Sequence, residues 1–219
     1  MKKQLCVAVT RFAVMTSLSS VTLDVPDIAA AEKFYLEAFG SSVPVKFSQS
    51  DSAQSGSAPS GFRGYTISLL VAQPGDAGLL FDAAVAAGAT VVKPIAKSLW
   101  GVGGVIQAPD GAIIKLATSA KKDTTKVSKN LESVVILIAA SDVSVTKKFY
   151  EDKGFTVGKS FGKYVEFDLK PSPIGFGLYS IKALAKDAGV APEQSDSHHI
   201  VLNGDAGSFT DPDGFVWAS

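Results

Sequence analysis

The sequence predicts an α+β fold made of two tandem halves, and two repeated motifs support that prediction. Residues 27–35 read Asp-Ile-Ala-Ala-Ala-Glu-Lys-Phe-Tyr, and residues 142–150 read Asp-Val-Ser-Val-Thr-Lys-Lys-Phe-Tyr. Each copy follows a β-branched run, and each half also carries Pro-Asp-Gly, at 109–111 and at 212–214. A repeat of this length indicates two related structural units rather than a short solenoid repeat. Strands and helices mixed with hairpin signals favour the α+β class.

The composition is that of a globular protein without strong charge. The 219 residues can bury a core as one domain or two small ones, and 46% are hydrophobic while 19% are charged. The formal net charge is zero, so we expect neither nucleic acid nor a membrane surface as a partner. The one cysteine, Cys6, excludes internal disulfides and a multi-cysteine metal site. A cytoplasmic location is therefore the default expectation.

Local signals divide the chain into strands, helices and connections. Asp27 and Asp142 stand where helix N-caps belong, and Gly40 is placed to end the first helix. Further helices are predicted over 76–87 and 181–187, and the second motif predicts a helix over 142–153. Residues 48–60 and 101–104 are expected to be loops. The predicted strands are 17–25, 43–47, 65–71, 90–92, 104–107, 112–118, 133–139, 155–160, 163–169, 175–179, 198–202 and 215–218.

We predict a tail over 1–16, a first domain over 17–119, a linker over 120–130 and a second domain over 131–219. Within the tail, residues 1–14 are open to three interpretations: a native tail, a weak secretory signal or an upstream extension. Met1-Lys2-Lys3 followed by a short apolar run is typical of a signal, but Arg11 interrupts that run.

The order of these motifs resembles the vicinal oxygen chelate superfamily. A strand leads to Val25-Pro26-Asp27-Ile28 and Lys33-Phe34-Tyr35, and later Trp100-Gly101 precedes Pro109-Asp110-Gly111 and a strand. That superfamily includes glyoxalase I, extradiol ring-cleaving dioxygenases and the bleomycin resistance proteins. The resemblance covers residues 17–219 and implies paired βαβββ modules around a cleft. It implies the reaction poorly, because one scaffold hosts many chemistries.

The resemblance also implies where a divalent metal would bind. Its ligands are a His or Gln seven residues before the motif Asp and a Glu four residues after the Pro-Asp-Gly glycine. Only His199 stands near a matching place and could ligate, and one imidazole does not make a catalytic metal site. We therefore predict no cofactor. The residues at the implied positions are Ser20, Thr66, Lys115, Val135 and Ala218.

Strand parity predicts which side chains face the cleft. Asp24 and Lys115 are expected on one polar face, where an ion pair between them is the simplest outcome. The corresponding face of the second half is apolar. A pocket with an apolar wall and a few polar groups is typical of small-molecule sites. The candidate ligand-binding residues are Ser20, Thr22, Asp24, Thr66, Trp100, Lys115, Val135, Leu137 and His199.

Three functions stay open from the sequence. The favoured one is a metal-independent protein that binds a small molecule in the cleft, as the bleomycin resistance proteins do. The alternative is a glyoxalase- or dioxygenase-type enzyme with a divalent metal in an atypical site. The third is a scaffold whose apolar surfaces serve only association. Whether the cleft forms within one chain or between the chains of a homodimer is also open.

Overall fold

The computed structural model describes residues 16–49, 62–169, 171–193 and 197–219, which form two β-sheets and four α-helices. Residues 1–15 of the tail predicted over 1–16, and most of the loop predicted over 48–60, lie outside these residues. The described helices are α1 (Ile28–Phe39), α2 (Pro74–Ala86), α3 (Val143–Asp152) and α4 (Ile181–Ala188). The strands are β1 (Leu18–Val25), β2 (Val45–Gln49), β3 (Tyr65–Leu70), β4 (Thr90–Ser98), β5 (Gly101–Gln107), β6 (Ile113–Thr118), β7 (Ser133–Ala140), β8 (Val157–Phe161), β9 (Tyr164–Phe167), β10 (Ile174–Ser180), β11 (Ile200–Gly204), β12 (Phe209–Thr210) and β13 (Val216–Ala218).

The larger sheet has eight strands in the order β4-β5-β6-β3-β7-β10-β9-β8. It consists of two βαβββ modules with the same internal strand order, one from β3 to β6 and one from β7 to β10. The modules join where β3 and β7 pair antiparallel, with Thr66 opposite Leu137 and Ser68 opposite Val135. Paired βαβββ modules are thus confirmed.

The smaller sheet has the order β12-β13-β11-β1-β2 and combines the two ends of the described chain. Its centre is the antiparallel pairing of β1 with β11, in which Leu23 lies opposite Ile200. Each sheet therefore contains strands from both predicted domains. The division at residues 120–130 stays a prediction; the described chain there has neither helix nor strand.

The two helix N-caps confirm the sequence repeat. The Asp27 carboxylate accepts a hydrogen bond from the Ala30 backbone N–H at 2.9 Å, which caps α1. The Asp142 carboxylate accepts from Ser144 N–H at 2.8 Å and Val145 N–H at 3.2 Å, which caps α3. Both helices therefore begin as the repeated motif predicts.

The loop predicted over 101–104 is wrong, because these residues form the first part of β5. Their glycines allow close packing within the sheet. A Cβ on Gly103 would lie 2.8 Å from the Leu116 carbonyl oxygen, and one on Gly104 would lie 2.8 Å from the Phe81 ring. The glycine-rich run predicted a loop, but in the structure it allows β5 to lie close to the neighbouring strand and to α2.

The main hydrophobic core lies between the two sheets and helices α1, α2 and α3, and Trp217 and Tyr150 are among its largest buried side chains. None of the helices in the described part of the chain is long and apolar enough to cross a membrane.

Candidate functional site

Helix α4 covers part of one face of the eight-stranded sheet, which we call the α4 face. Side chains alternate along a strand, so Ile114 and Leu116 enter the main core whereas Ile113 and Lys115 lie on the α4 face. The apolar side of α4 packs there against Ile113 and its neighbours. The α4 face carries Thr66, Ser68, Ile113, Lys115, Val135 and Leu137.

A cleft of about 530 Å³ remains beside α4, above β4, β5 and β6. Its wall includes Val102, Val105 and Ala117, and Lys115 and Asp187 lie at its polar end. Trp100 lines it from the tip of the β4–β5 hairpin and is 84% exposed. An exposed aromatic ring beside an apolar wall offers a surface on which a ligand can stack.

At the polar end of the cleft, two lysines bind the C-terminal end of α4. Lys115 Nζ donates to the Asp187 carboxylate at 2.7 Å. Lys93 Nζ donates to the Lys186 and Asp187 carbonyl oxygens, both at 2.7 Å, and so binds the negative end of the α4 dipole. The expected ion pair between Asp24 and Lys115 is wrong, because the two residues belong to different sheets and Lys115 pairs with α4.

The remaining candidates lie on or beside the five-stranded sheet. Ser20 is buried, and its hydroxyl has no hydrogen-bond partner among the described residues. The Thr22 hydroxyl accepts from the Asn203 amide at 2.9 Å, and the Asp24 carboxylate accepts from the Ser48 hydroxyl. His199 precedes β11 in a left-handed backbone conformation, with φ 52°. The structure therefore places Thr66, Lys115, Val135 and Leu137 on the α4 face, but among the candidate residues that the structure describes only Lys115 and Trp100 line the cleft.

Solved structures share this arrangement. Glyoxalase I from Zea mays is 14% identical, with a TM-score of 0.61 over 92% of this chain and 91% of that chain. A single-site mutant of the same maize enzyme gives a TM-score of 0.61 over 93% and 92% of the two chains, also at 14% identity. The chain has the vicinal oxygen chelate fold. By sequence, no protein-family model and no curated protein matches it.

On the α4 face, the residues at the metal positions that the resemblance implies do not fit a divalent ion. On the α4 face these positions hold the Thr66 hydroxyl, the Lys115 ammonium and the Val135 side chain. The β10 position equivalent to Lys115 is Gly177, which pairs with Glu166. An ammonium repels a cation, and hydroxyl and alkyl groups are poor ligands. Within the described ranges, no three His, Cys, Asp or Glu side chains form a group that could hold a metal.

The sequence analysis missed two features of the site. Asp187 was not a candidate because its contact with Lys115 joins residues far apart in the chain, which no local pattern reveals. Arg63 was also missed, although it is one of only two arginines in the sequence and precedes a buried strand. Its side chain is only 3% exposed, and a buried arginine calls for an explanation.

Proposed function

We propose that the protein binds a small molecule in the cleft beside α4 and does so without a metal. The observation that carries the proposal is the exposed Trp100 ring on the rim of an apolar cleft of about 530 Å³ that ends at Lys115. This volume falls within the range of about 300–1,000 Å³ typical of ligand pockets.

The lining suggests the chemical class of the ligand. Val102, Val105 and Ala117 offer an apolar wall, and the Trp100 ring offers a surface for stacking. Lys97 and Lys115 supply positive charge, and Asp187 is the one acidic residue among the described lining side chains. A flat, largely apolar molecule with one acidic group matches this combination.

Fluorescence titration with 1-anilinonaphthalene-8-sulfonate tests the proposal, because this probe is aromatic, apolar and anionic. We expect saturable binding with one site per chain. Trp100→Ala should weaken binding by about tenfold, the size of effect that losing one stacking contact produces. Phe161→Ala is the matched control, because Phe161 is 86% exposed at the β8–β9 hairpin, away from the cleft. Equal loss in both variants, or no saturation, would contradict the proposal.

The second candidate is a metal-dependent enzyme of the glyoxalase or dioxygenase type, which the structural likeness to glyoxalase I suggests. Elemental analysis after incubation with zinc, nickel, manganese or iron(II) distinguishes the two functions. The proposal of metal-independent binding expects less than stoichiometric metal for every ion. One tightly held ion per chain would support the enzyme and make glyoxalase and dioxygenase assays the next step.

We further propose a cytoplasmic protein, from the single cysteine and the neutral charge. Cell fractionation tests the location. Light scattering on the purified protein tests whether it forms a homodimer.

A further inference from the structure

The polar end of the cleft beside α4 contains an ion pair between Lys115 and Asp187. The Lys115 Nζ lies 2.7 Å from the Asp187 carboxylate, and both residues line the cleft. Neither side chain is buried, since 31% of the lysine side chain and 37% of the aspartate side chain are exposed. A molecule in the cleft can therefore reach this ion pair, and it meets the lysine already neutralised by a carboxylate of the chain.

The Asp187 carboxylate has no other hydrogen bond to hold it in place. Among the described residues, the Lys115 ammonium is its only donor. By contrast, the carboxylates of Asp110 and Asp211 accept hydrogen bonds from backbone N–H groups of their own turns. Those two carboxylates are fixed by the backbone, whereas a rotation of the Asp187 side chain is enough to release Lys115.

Helix α4 does not depend on this carboxylate for its position. Its apolar side packs on the α4 face of the sheet through Leu184 and Ala188. Its C-terminal end is held by Lys93, whose Nζ donates to the backbone carbonyl oxygens of Lys186 and Asp187. These contacts do not involve the Asp187 carboxylate, so α4 and the cleft stay in place when that carboxylate moves.

The place of Asp187 in α4 is unfavourable for a carboxylate. Asp187 is the penultimate residue of the helix, which ends at Ala188. The C-terminal end of a helix carries a partial negative charge, which repels anionic side chains and attracts cationic ones. The carboxylate therefore does not stabilise the helix, and its one contact in the described chain neutralises Lys115.

We propose that Asp187 competes with the acidic group of the ligand for Lys115, an inference that rests on the proposed function of the cleft. In the free protein, the Asp187 carboxylate binds the Lys115 ammonium. When an acidic ligand binds, its acidic group replaces this carboxylate, and the Asp187 side chain turns to solvent. A neutral ligand leaves the ion pair intact. Asp187 thus lowers the affinity of the cleft for acids relative to neutral molecules of the same shape.

The exposure of the ion pair sets the size of this effect. Ion pairs that water can reach are weak, because the solvent competes for both charges. Removing the competing carboxylate should therefore tighten the binding of an acid by about fivefold rather than by orders of magnitude.

Two fluorescent probes with the same rings test the proposal. 1-Anilinonaphthalene-8-sulfonate is anionic, whereas N-phenyl-1-naphthylamine lacks the sulfonate and is neutral. We expect Asp187→Asn to lower the dissociation constant of the anionic probe by about fivefold and to leave that of the neutral probe unchanged. Asp152→Asn is the matched control, because Asp152 pairs with Lys148 on the exposed surface of α3, and it should change neither constant.

Lys115→Met shows whether the gain depends on Lys115. In the Lys115→Met background, Asp187→Asn should give no gain, because no ion pair remains to be broken. An equal gain with and without Lys115 would make Asp187 a general source of negative charge and would overturn the proposal. So would an anionic-probe affinity that Asp187→Asn leaves unchanged or weakens, or an equal change for both probes.

Two further measurements keep the outcomes distinct. Asp187→Ser also removes the charge, so it should give the same gain, and it decides the question if Asp187→Asn does not fold. Saturable binding of both probes by the wild type, combined with no effect of the Asp187 variants, overturns the competition but leaves the proposed function standing. If the wild type binds neither probe saturably, the proposed function fails and the competition fails with it.

Discussion

The two Pro-Asp-Gly turns share a backbone but differ in how their side chains are satisfied. In the second turn Asp211 faces inward and Asp213 faces the start of α3, where it accepts from Ser141 N–H at 2.7 Å and the Thr146 hydroxyl at 2.6 Å. In the first turn Asp110 alone takes the inward role and accepts from Ala112 N–H at 2.8 Å. One aspartate thus replaces two, and its carboxyl also interacts with the Tyr35 hydroxyl and with the charge of Arg63.

The residues that fasten the turns differ as well. Arg63 and His198 occupy equivalent positions, each two residues before the first residue of its strand. The His198 ring nitrogens lie 2.9 Å from the Asp213 carbonyl oxygen and 2.7 Å from that of Arg63, and the ring stacks on Phe215 at 3.8 Å. The two turns therefore have the same backbone conformation but different side-chain hydrogen bonds. The second network is fully hydrogen-bonded, whereas Arg63 Nε and the Tyr65 hydroxyl in the first have no hydrogen bond of ordinary geometry among the described residues.

The largest expected effect comes from removing the inward carboxylate of each turn. Asp211→Ala leaves Tyr150 and two backbone N–H groups without their acceptor, so it should lower the free energy of unfolding by about 3 kcal/mol. Asp110→Ala removes one such bond and should cost about 1 kcal/mol or less. Urea unfolding measures both. Equal losses would show that the first turn is as well satisfied as the second.

The sequence predicted the helix caps and the two turns, but it did not predict which side chains contact them from distant parts of the chain. Asp27, Asp142 and the two Pro-Asp-Gly runs act within a few residues, so their caps and turns can be read locally. The partners of Arg63 and Lys115 come from strand order and from α4, through contacts between distant parts of the chain. Strand parity gave the right alternation on β6, but it could not tell that β1 and β6 belong to different sheets.

A matched pair of tyrosines gives the next effect. Tyr150→Phe removes a hydroxyl that bonds Asp211 and Trp217, so it should lower the free energy of unfolding by about 1–2 kcal/mol. The Tyr35 hydroxyl interacts with the Asp110 carboxyl but makes no hydrogen bond of ordinary geometry, so Tyr35→Phe should cost less than Tyr150→Phe, about 1 kcal/mol or less. Burial raises the pKa of both phenols, so neither ionises near neutral pH. Equal costs would show that Asp110 binds the Tyr35 hydroxyl as strongly as Asp211 binds that of Tyr150.

The smallest expected effect concerns His199, which lies between the two turns, next to His198. Burial and the positive charge of Arg63 lower the pKa of His199 below its ordinary value of 6.5, and Asp24 partly opposes this shift. Below pH 6.5 the unfolded chain therefore binds a proton more readily than the folded chain does. The free energy of unfolding should fall as pH decreases from about 6.5 toward the folded pKa.

His199→Asn removes this titration and suits the left-handed backbone at the position, since asparagine tolerates positive φ. We expect equal or slightly higher stability at neutral pH and a flatter dependence below about pH 6.5, measured by urea unfolding as a function of pH. Asp24→Asn is the complementary variant. It removes the charge that raises the pKa of His199, so the decline should extend to lower pH than in the wild type. If the free energy of unfolding depends on pH in His199→Asn as it does in the wild type, another group causes the dependence. The inferred effect of the Arg63 charge on His199 would then be wrong.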